Sequence, residues 1–219
     1  YFSSDYRVIA MDPRSQGDSS QTNDGLYPAA RARDIRALIE KLQLAPVVLV
    51  GWSMAVTEIC AYLDQFGSQD LAAIVLVDGF AGGTQPAGAA NTIQFLNSIL
   101  VDRQKTVADF MRNVMFKKPQ SAEYVARLTQ ASNITPTDAA VGLLVGMYGT
   151  DYKPALLKNT KPVLICVADG SIFTTQLEEL HRQLPSARYE IFKGDGHTLF
   201  VDDPDKFNGL LEDFLVDLR

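Results

Sequence analysis

Ser53 and His197 are the residues of this chain best suited to covalent chemistry, and each comes directly after a strand-like run. Ser53 sits in Gly51-Trp52-Ser53-Met54-Ala55, between the apolar, β-branched stretch 45–50 (APVVLV) and a helix with Val56, Ile59, Cys60 and Leu63 on one face. A serine at a sharp strand-to-helix turn is the nucleophile elbow of G-x-S-x-G, where small neighbours let the backbone turn and leave Oγ exposed. The turn also sets Ser53 at a helix N-terminus, where free N–H groups and the dipole favour a developing negative charge. Ala55 replaces the last glycine and adds one methyl to the motif. The competing role for Ser53 is a plain helix N-cap.

A serine nucleophile needs a base, and the chain has 2 histidines. His181 falls within a helix and reads as a surface residue. His197 ends Lys193-Gly194-Asp195-Gly196-His197, a loop just past the last strand, where glycines permit an unusual backbone path. A neutral imidazole near its ordinary pKa of ~6.5 suits general-base work at neutral pH. Its competing role is a loop histidine or a helix cap.

The composition, 219 residues with 47% hydrophobic and 21% charged, is that of a globular protein with room for a sizeable core. A net charge of −6 comes without the basic stripe that nucleic acid requires, and Arg31, Arg33 and Arg36 read as the solvated face of one helix. No stretch approaches the roughly 18 apolar residues of a membrane span. Cys60 and Cys166 read as small core residues, so neither a disulfide framework nor a metal site is expected, and no cofactor. The expected compartment is cytoplasmic.

Five strands are read: 6–11 (YRVIAM), 45–50, 71–77 (LAAIVLV), 162–167 (PVLICV) and 188–192 (RYEIF). Helices alternate with them. Pro28 opens one with Ala32, Ile35, Leu38, Ile39 and Leu42 on its apolar face, and Asp203-Pro204 opens the last, with Phe207, Leu210, Leu211, Phe214, Leu215 and Leu218 inward. Such alternation predicts an α/β protein with a mainly parallel sheet. The pattern changes after Gly79. A flexible exit, Gly82-Gly83-Thr84-Gln85-Pro86, leads into helical segments without strands, marked by Ile93/Leu96/Leu100, Val107/Phe110/Met111/Val114, Tyr124/Val125/Leu128 and Val141/Leu144/Val145/Tyr148. Thr135-Pro136 reads as the cap and first residue of the last of these. The expected division is a core of 1–79 and 160–219 with an all-helical cap, 80–159, over the sheet edge where open α/β sheets bind ligands.

Taken together, the Met-Asp-Pro-Arg-Ser-Gln-Gly-Asp-Ser run, the Gly51–Ala55 elbow, the 71–78 strand and the Gly-Asp-Gly-His…Pro ending at 194–204 resemble the α/β-hydrolase superfamily, specifically a cap-bearing esterase- or lipase-like serine hydrolase. The first run resembles D-x-R-G-x-G-x-S, with Ser15 replacing a glycine. The order serine then histidine agrees with that resemblance. It implies a carboxylate to orient His197. The usual slot after the penultimate strand falls on Ser171, with Asp169 nearby. Some relatives place the acid after the strand that follows the elbow helix, which here is Asp78. Asp78 is favoured over Asp169. The resemblance also makes the Met54 N–H an oxyanion donor and Trp52 a candidate substrate contact.

Fewer strands are read than the family sheet has. The expectation is that N-terminal strands are lacking, including one between the 6–11 run and the elbow strand whose adjoining loop supplies the second oxyanion donor. Losing one donor typically costs ~10²–10³ in rate, so weak activity is expected of these residues alone. The implied reaction is cleavage of a small, hydrophobic carboxylic ester through an acyl-enzyme on Ser53. Phe95, Phe110, Met111, Met115 and Met147 could contact the ester or simply fill the cap. The alternatives are a carbon–carbon bond hydrolase or acyltransferase using the same residues, and a non-catalytic small-molecule binder, for which Ala55 and Ser171 argue.

Overall fold

The structure, a computed structural model, describes residues 1–83 and 86–218. Thr84 and Gln85 of the expected flexible exit lie outside the described residues. Strands β1 (Val47–Trp52), β2 (Leu71–Val77), β3 (Val163–Ala168) and β4 (Arg188–Phe192) lie side by side in that order, all parallel. Helix α1 (Pro28–Leu42) precedes β1, and α2 (Met54–Phe66) joins β1 to β2. Between β2 and β3 run α3 (Pro86–Val101), α4 (Arg103–Phe110), a π-helical turn (Met111–Met115), α5 (Ala122–Ser132), α6 (Thr137–Gly149) and α7 (Lys153–Leu157). Helix α8 (Thr174–Gln183) joins β3 to β4, and α9 (Leu199–Asp202) and α10 (Pro204–Val216) complete the chain order. None of these helices is long and apolar enough to cross a membrane.

Successive side chains of a strand face opposite sides of the sheet. Ile74 and Leu76 of β2, with Val163, Ile165 and Val167 of β3, join one core with α1, α2 and α8. Ala73, Val75 and Val77, with Leu164, Cys166 and Ala168, pack beneath Phe207, Leu210, Leu211 and Phe214 of α10. Because helices cover both faces, the central strands are unbroken apolar runs rather than alternating ones. Each fully buried Leu or Ile there contributes roughly 1.5–3 kcal/mol.

The 6–11 run is not a strand. It forms no ladder among the described residues, and Val8 and Ile9 are exposed. β-Propensity is chiefly a fit to a pleated, half-buried surface, and among the described residues no strand lies beside this run to bond it. The sheet accordingly ends at β1, whose Val50 is exposed on the side where the gap was expected. Two smaller differences concern helices. Pro136 is the N-cap of α6 rather than its first residue, since its ψ of 149° is not helical. On α3, Ile99 is buried while Ile93 and Leu100 of the expected stripe are exposed.

Arg31 is also misplaced by the sequence pattern, for it does not lie on a solvated face. Its side chain is 1% exposed, between α1 and α2. Nη1 donates to Glu58 Oε1 at 2.6 Å, and Nη2 donates to the Arg14 carbonyl at 2.9 Å and Gln16 Oε1 at 3.0 Å. Arg14 in turn forks onto Asp34 of α1 at 2.6 and 2.7 Å. A charge can be buried when the partner is buried with it, and nothing in the spacing of α1 announces Glu58 on another helix.

Arg31→Met should strand the Glu58 carboxylate and destabilise the fold by about 3–5 kcal/mol, read as a lower urea midpoint at unchanged slope. Adding Glu58→Gln should recover part of that loss. Cys60 and Cys166 are fully buried, and burial pushes both thiols up, that of Cys166 to about 12. A thiol reagent at mildly alkaline pH should leave both untouched in the native protein and titrate both after denaturation.

Candidate active site

The sheet register decides which residues meet. Trp52 of β1 is paired with Val77 of β2, so Ser53 and Asp78 leave adjacent parallel strands at the same level. Val77 is paired in turn with Cys166 of β3, and Asp78 N–H donates to the Cys166 carbonyl at 2.8 Å. The loops after β3 and β4 carry Ser171 and His197 to the same edge.

Ser53 has φ 57° and ψ −119°, a conformation that costs a non-glycine residue on the order of 1–3 kcal/mol. Its N–H donates to the Val77 carbonyl at 2.9 Å, and its carbonyl accepts from Val56 N–H at 3.1 Å, which hold the turn. Gly51 is required by close approach: a Cβ there would lie 2.9 Å from the Ala55 carbonyl and 2.6 Å from Ile59 Cδ1. Ala55, at the position of the replaced glycine, is accommodated as the second residue of α2. Met54 is the first residue of that helix, so its N–H has no intrahelical acceptor.

His197 is the histidine at Ser53. Its Nδ1 lies 2.7 Å from Asp78 Oδ2 and its Nε2 lies 2.9 Å from Ser53 Oγ. An ionised carboxylate only accepts, so Nδ1 carries the proton, and Nε2 of the neutral ring accepts from the Ser53 hydroxyl. The ring is almost wholly buried and Asp78 entirely so. Asp78 also accepts from Ala168 N–H and from Ser171 Oγ, each at 3.0 Å. Thus Ser171, at the slot where an acid was sought, hydrogen-bonds the carboxylate instead. Asp169 is exposed. His181 stacks on Tyr189 with ring centres 4.8 Å apart.

Aromatic side chains surround the imidazole. Phe110 stands in a T-shaped arrangement with it at 6.1 Å, and Phe173 lies at 5.8 Å and stacks on Phe80. Phe173 carried no sequence signal beyond its place in the loop after β3. Trp52 lies 5.0 Å from the ring, and its indole N–H donates to the His197 carbonyl at 2.8 Å, so it braces this loop. Met111, Met115 and Met147 are buried. Ser15 occupies φ 63°, as the glycine it replaces could, and its hydroxyl bonds both Thr22 N–H and the Thr22 carbonyl. Among the described residues no cluster of three or more His, Cys, Asp or Glu is arranged to hold a metal ion.

A hydroxyl bonded to an imidazole whose far nitrogen faces a carboxylate can lose its proton as it attacks an electrophile. The site has that arrangement, at the carboxyl edge of a parallel sheet where α/β folds bind ligands. The chain is 30% identical over 224 residues to the "Putative non-heme chloroperoxidase" of Synechocystis sp., covering 96% of this chain and 81% of that protein. In fold it is similar to an esterase from Exiguobacterium antarcticum, with TM-score 0.85 and 23% identity over 92% of this chain and 78% of that one. A bromoperoxidase from Bacillus anthracis gives TM-score 0.85 and 23% identity over 93% and 79%. Residues 1–210 match the alpha/beta hydrolase family, and to that family this chain belongs.

Proposed function

We propose that this protein is a serine hydrolase that cleaves carboxylic esters, and that Ser53, His197 and Asp78 form its catalytic triad. The observation that carries this reading is the continuous pair of hydrogen bonds from Asp78 through His197 to Ser53, 2.7 and 2.9 Å long. Ser53 Oγ attacks the ester carbonyl carbon as His197 Nε2 takes its proton. Asp78 stabilises the imidazolium that forms. The Met54 N–H, at the start of α2, donates to the oxyanion. His197 then protonates the leaving alcohol, and the same imidazole deprotonates the water that frees the acid from Ser53.

Asp78 rather than Asp169 is the acid in this scheme, because Asp78 is buried against Nδ1 while Asp169 faces solvent. Phe110 and Phe173 beside the imidazole favour an ester with a hydrophobic acyl or alcohol group. Trp52, beside the same imidazole, would be a further contact for it. Residues 80–159 would act as a cap domain over a hydrolase core of 1–79 and 160–219. Relatives named as haloperoxidases favour a second acceptor. Hydrogen peroxide in place of water would attack the acyl-enzyme, giving a peracid and regenerating the Ser53 hydroxyl.

A fluorophosphonate should label Ser53, as mapped by peptide mass spectrometry, and Ser53→Ala should abolish both the label and turnover of p-nitrophenyl esters. Asp78→Asn should lower turnover by about 10⁴, the scale seen when such a carboxylate is neutralised, with Asp169→Asn close to the parent protein. Loss with Asp169→Asn alone would move the acid. Saturable ligand binding unchanged by Ser53→Ala, with no turnover in the parent, would make this a binding protein.

A further inference from the structure

Asp202, the last residue of α9, is 6% exposed and has no part in the proton relay. Its Oδ2 accepts from Gly196 N–H at 2.7 Å and from Lys117 N–H at 2.8 Å. Its Oδ1 accepts from Lys118 N–H at 3.3 Å and from Gln120 Nε2 at 3.4 Å. One carboxylate therefore ties two stretches of chain: the residue before His197, and the segment that leaves the π-helical turn.

Those stretches are joined at several further points. The last carbonyls of a helix have no intrahelical partner. Here the carbonyl of Val114 accepts from His197 N–H at 3.1 Å, and that of Met115 accepts from Thr198 N–H at 2.9 Å and Thr198 Oγ1 at 2.6 Å. Lys118 Nζ lies 2.9 Å from Asp195, and that bond raises the pKa of the amine, keeping it cationic. Gly196 is where the backbones come closest: a Cβ there would sit 2.6 Å from the Met115 carbonyl oxygen and 2.9 Å from Lys117 N. π-Helical turns are mostly single turns within helices and are frequent at functional sites, and this one begins right after Phe110, whose ring stands edge-to-face with that of His197.

We propose that Asp202 is a positioning residue for His197. It locks the His197 loop to the helical segment between β2 and β3, so that this segment sets where the imidazole stands between Asp78 and Ser53. The proposal rests on the reading of His197 as the base. Both imidazole hydrogen bonds are short, and a displacement of about 1 Å breaks their geometry. Misplacements of that size can cost ~10² in rate.

The test is Asp202→Asn in the full chain, with two measurements. Turnover of p-nitrophenyl acetate should show kcat lowered by roughly 10–100-fold, with KM within about threefold, since the buried Asp202 carboxylate is taken up by Gly196, Lys117, Lys118 and Gln120. Proton NMR should show the low-field His197 Nδ1–H resonance of the parent broadened or lost. Lys118→Met and Thr198→Val, which remove outlying bonds of the same clasp, should give smaller kcat losses in the same direction, and they decide the matter where Asp202→Asn does not fold. A folded Asp202→Asn protein with parental kcat and an unchanged Nδ1–H resonance overturns the proposal. A parent without turnover or Ser53 labelling instead overturns the hydrolase reading, and the NMR comparison still decides whether Asp202 sets the imidazole.

Discussion

Parallel pairing of β1 with β2 is the constraint on which the rest of the site depends. With Trp52 opposite Val77, the two chains leave the sheet together, and the first residues beyond the two strands are forced close to one another. On β1 that residue is Ser53, and on β2 it is Asp78. His197 then has to enter between them from the loop after β4, and it does so as a buried ring bonded on both sides. The sheet is rigid because β2 and β3 are buried on both faces. Such a platform can hold Ser53 and Asp78 at positive φ, since strained backbone persists only where the surrounding structure over-determines it.

Burial of charge recurs around this platform, and each instance has its own compensation. Asp78 accepts from an imidazole, a backbone N–H and a hydroxyl. Arg31 and Glu58 pair with one another between α1 and α2, and Nη2 of the guanidinium reaches the loop that carries Arg14 and Gln16. Asp202 is satisfied chiefly by backbone N–H groups. Unsatisfied, each of these groups would carry a large desolvation cost. Satisfied, each ties together elements distant in sequence, which is how loops with few apolar contacts are held to a site.

The aromatic surroundings serve two ends at once. Trp52, Phe110 and Phe173 exclude water from the imidazole, and in a drier site the bonds to Asp78 and Ser53 are electrostatically stronger. Trp52 also fixes the His197 loop through its indole N–H. Phe110 comes from the helical segment between β2 and β3, so that segment contributes to the site directly as well as through its backbone bonds to Thr198 and His197.

Most of the architecture was legible along the chain, because strands buried on both faces and helices buried on one leave patterns that local composition records. The elbow at Ser53 and the glycine-bracketed His197 were visible for a related reason: tight turns restrict residue type at the position itself. The 6–11 run shows the limit. Its apolar, β-branched residues are those of a strand, yet a strand exists only when a neighbour offers a ladder, and that is a property of the assembled sheet. Arg31 shows the same limit for charge, since its burial depends on Glu58, 27 positions away. Ser171, in a loop, and Asp202, at the end of α9, are polar residues of a common kind, and only the fold gives them partners. The sequence by itself determined most of the elements and offered the residues whose chemistry could serve a site. Which carboxylate faces His197, and what holds that histidine in place, was decided by strand register and by contacts between segments far apart in the chain, where hydrogen bonding depends on distance and no local pattern encodes it.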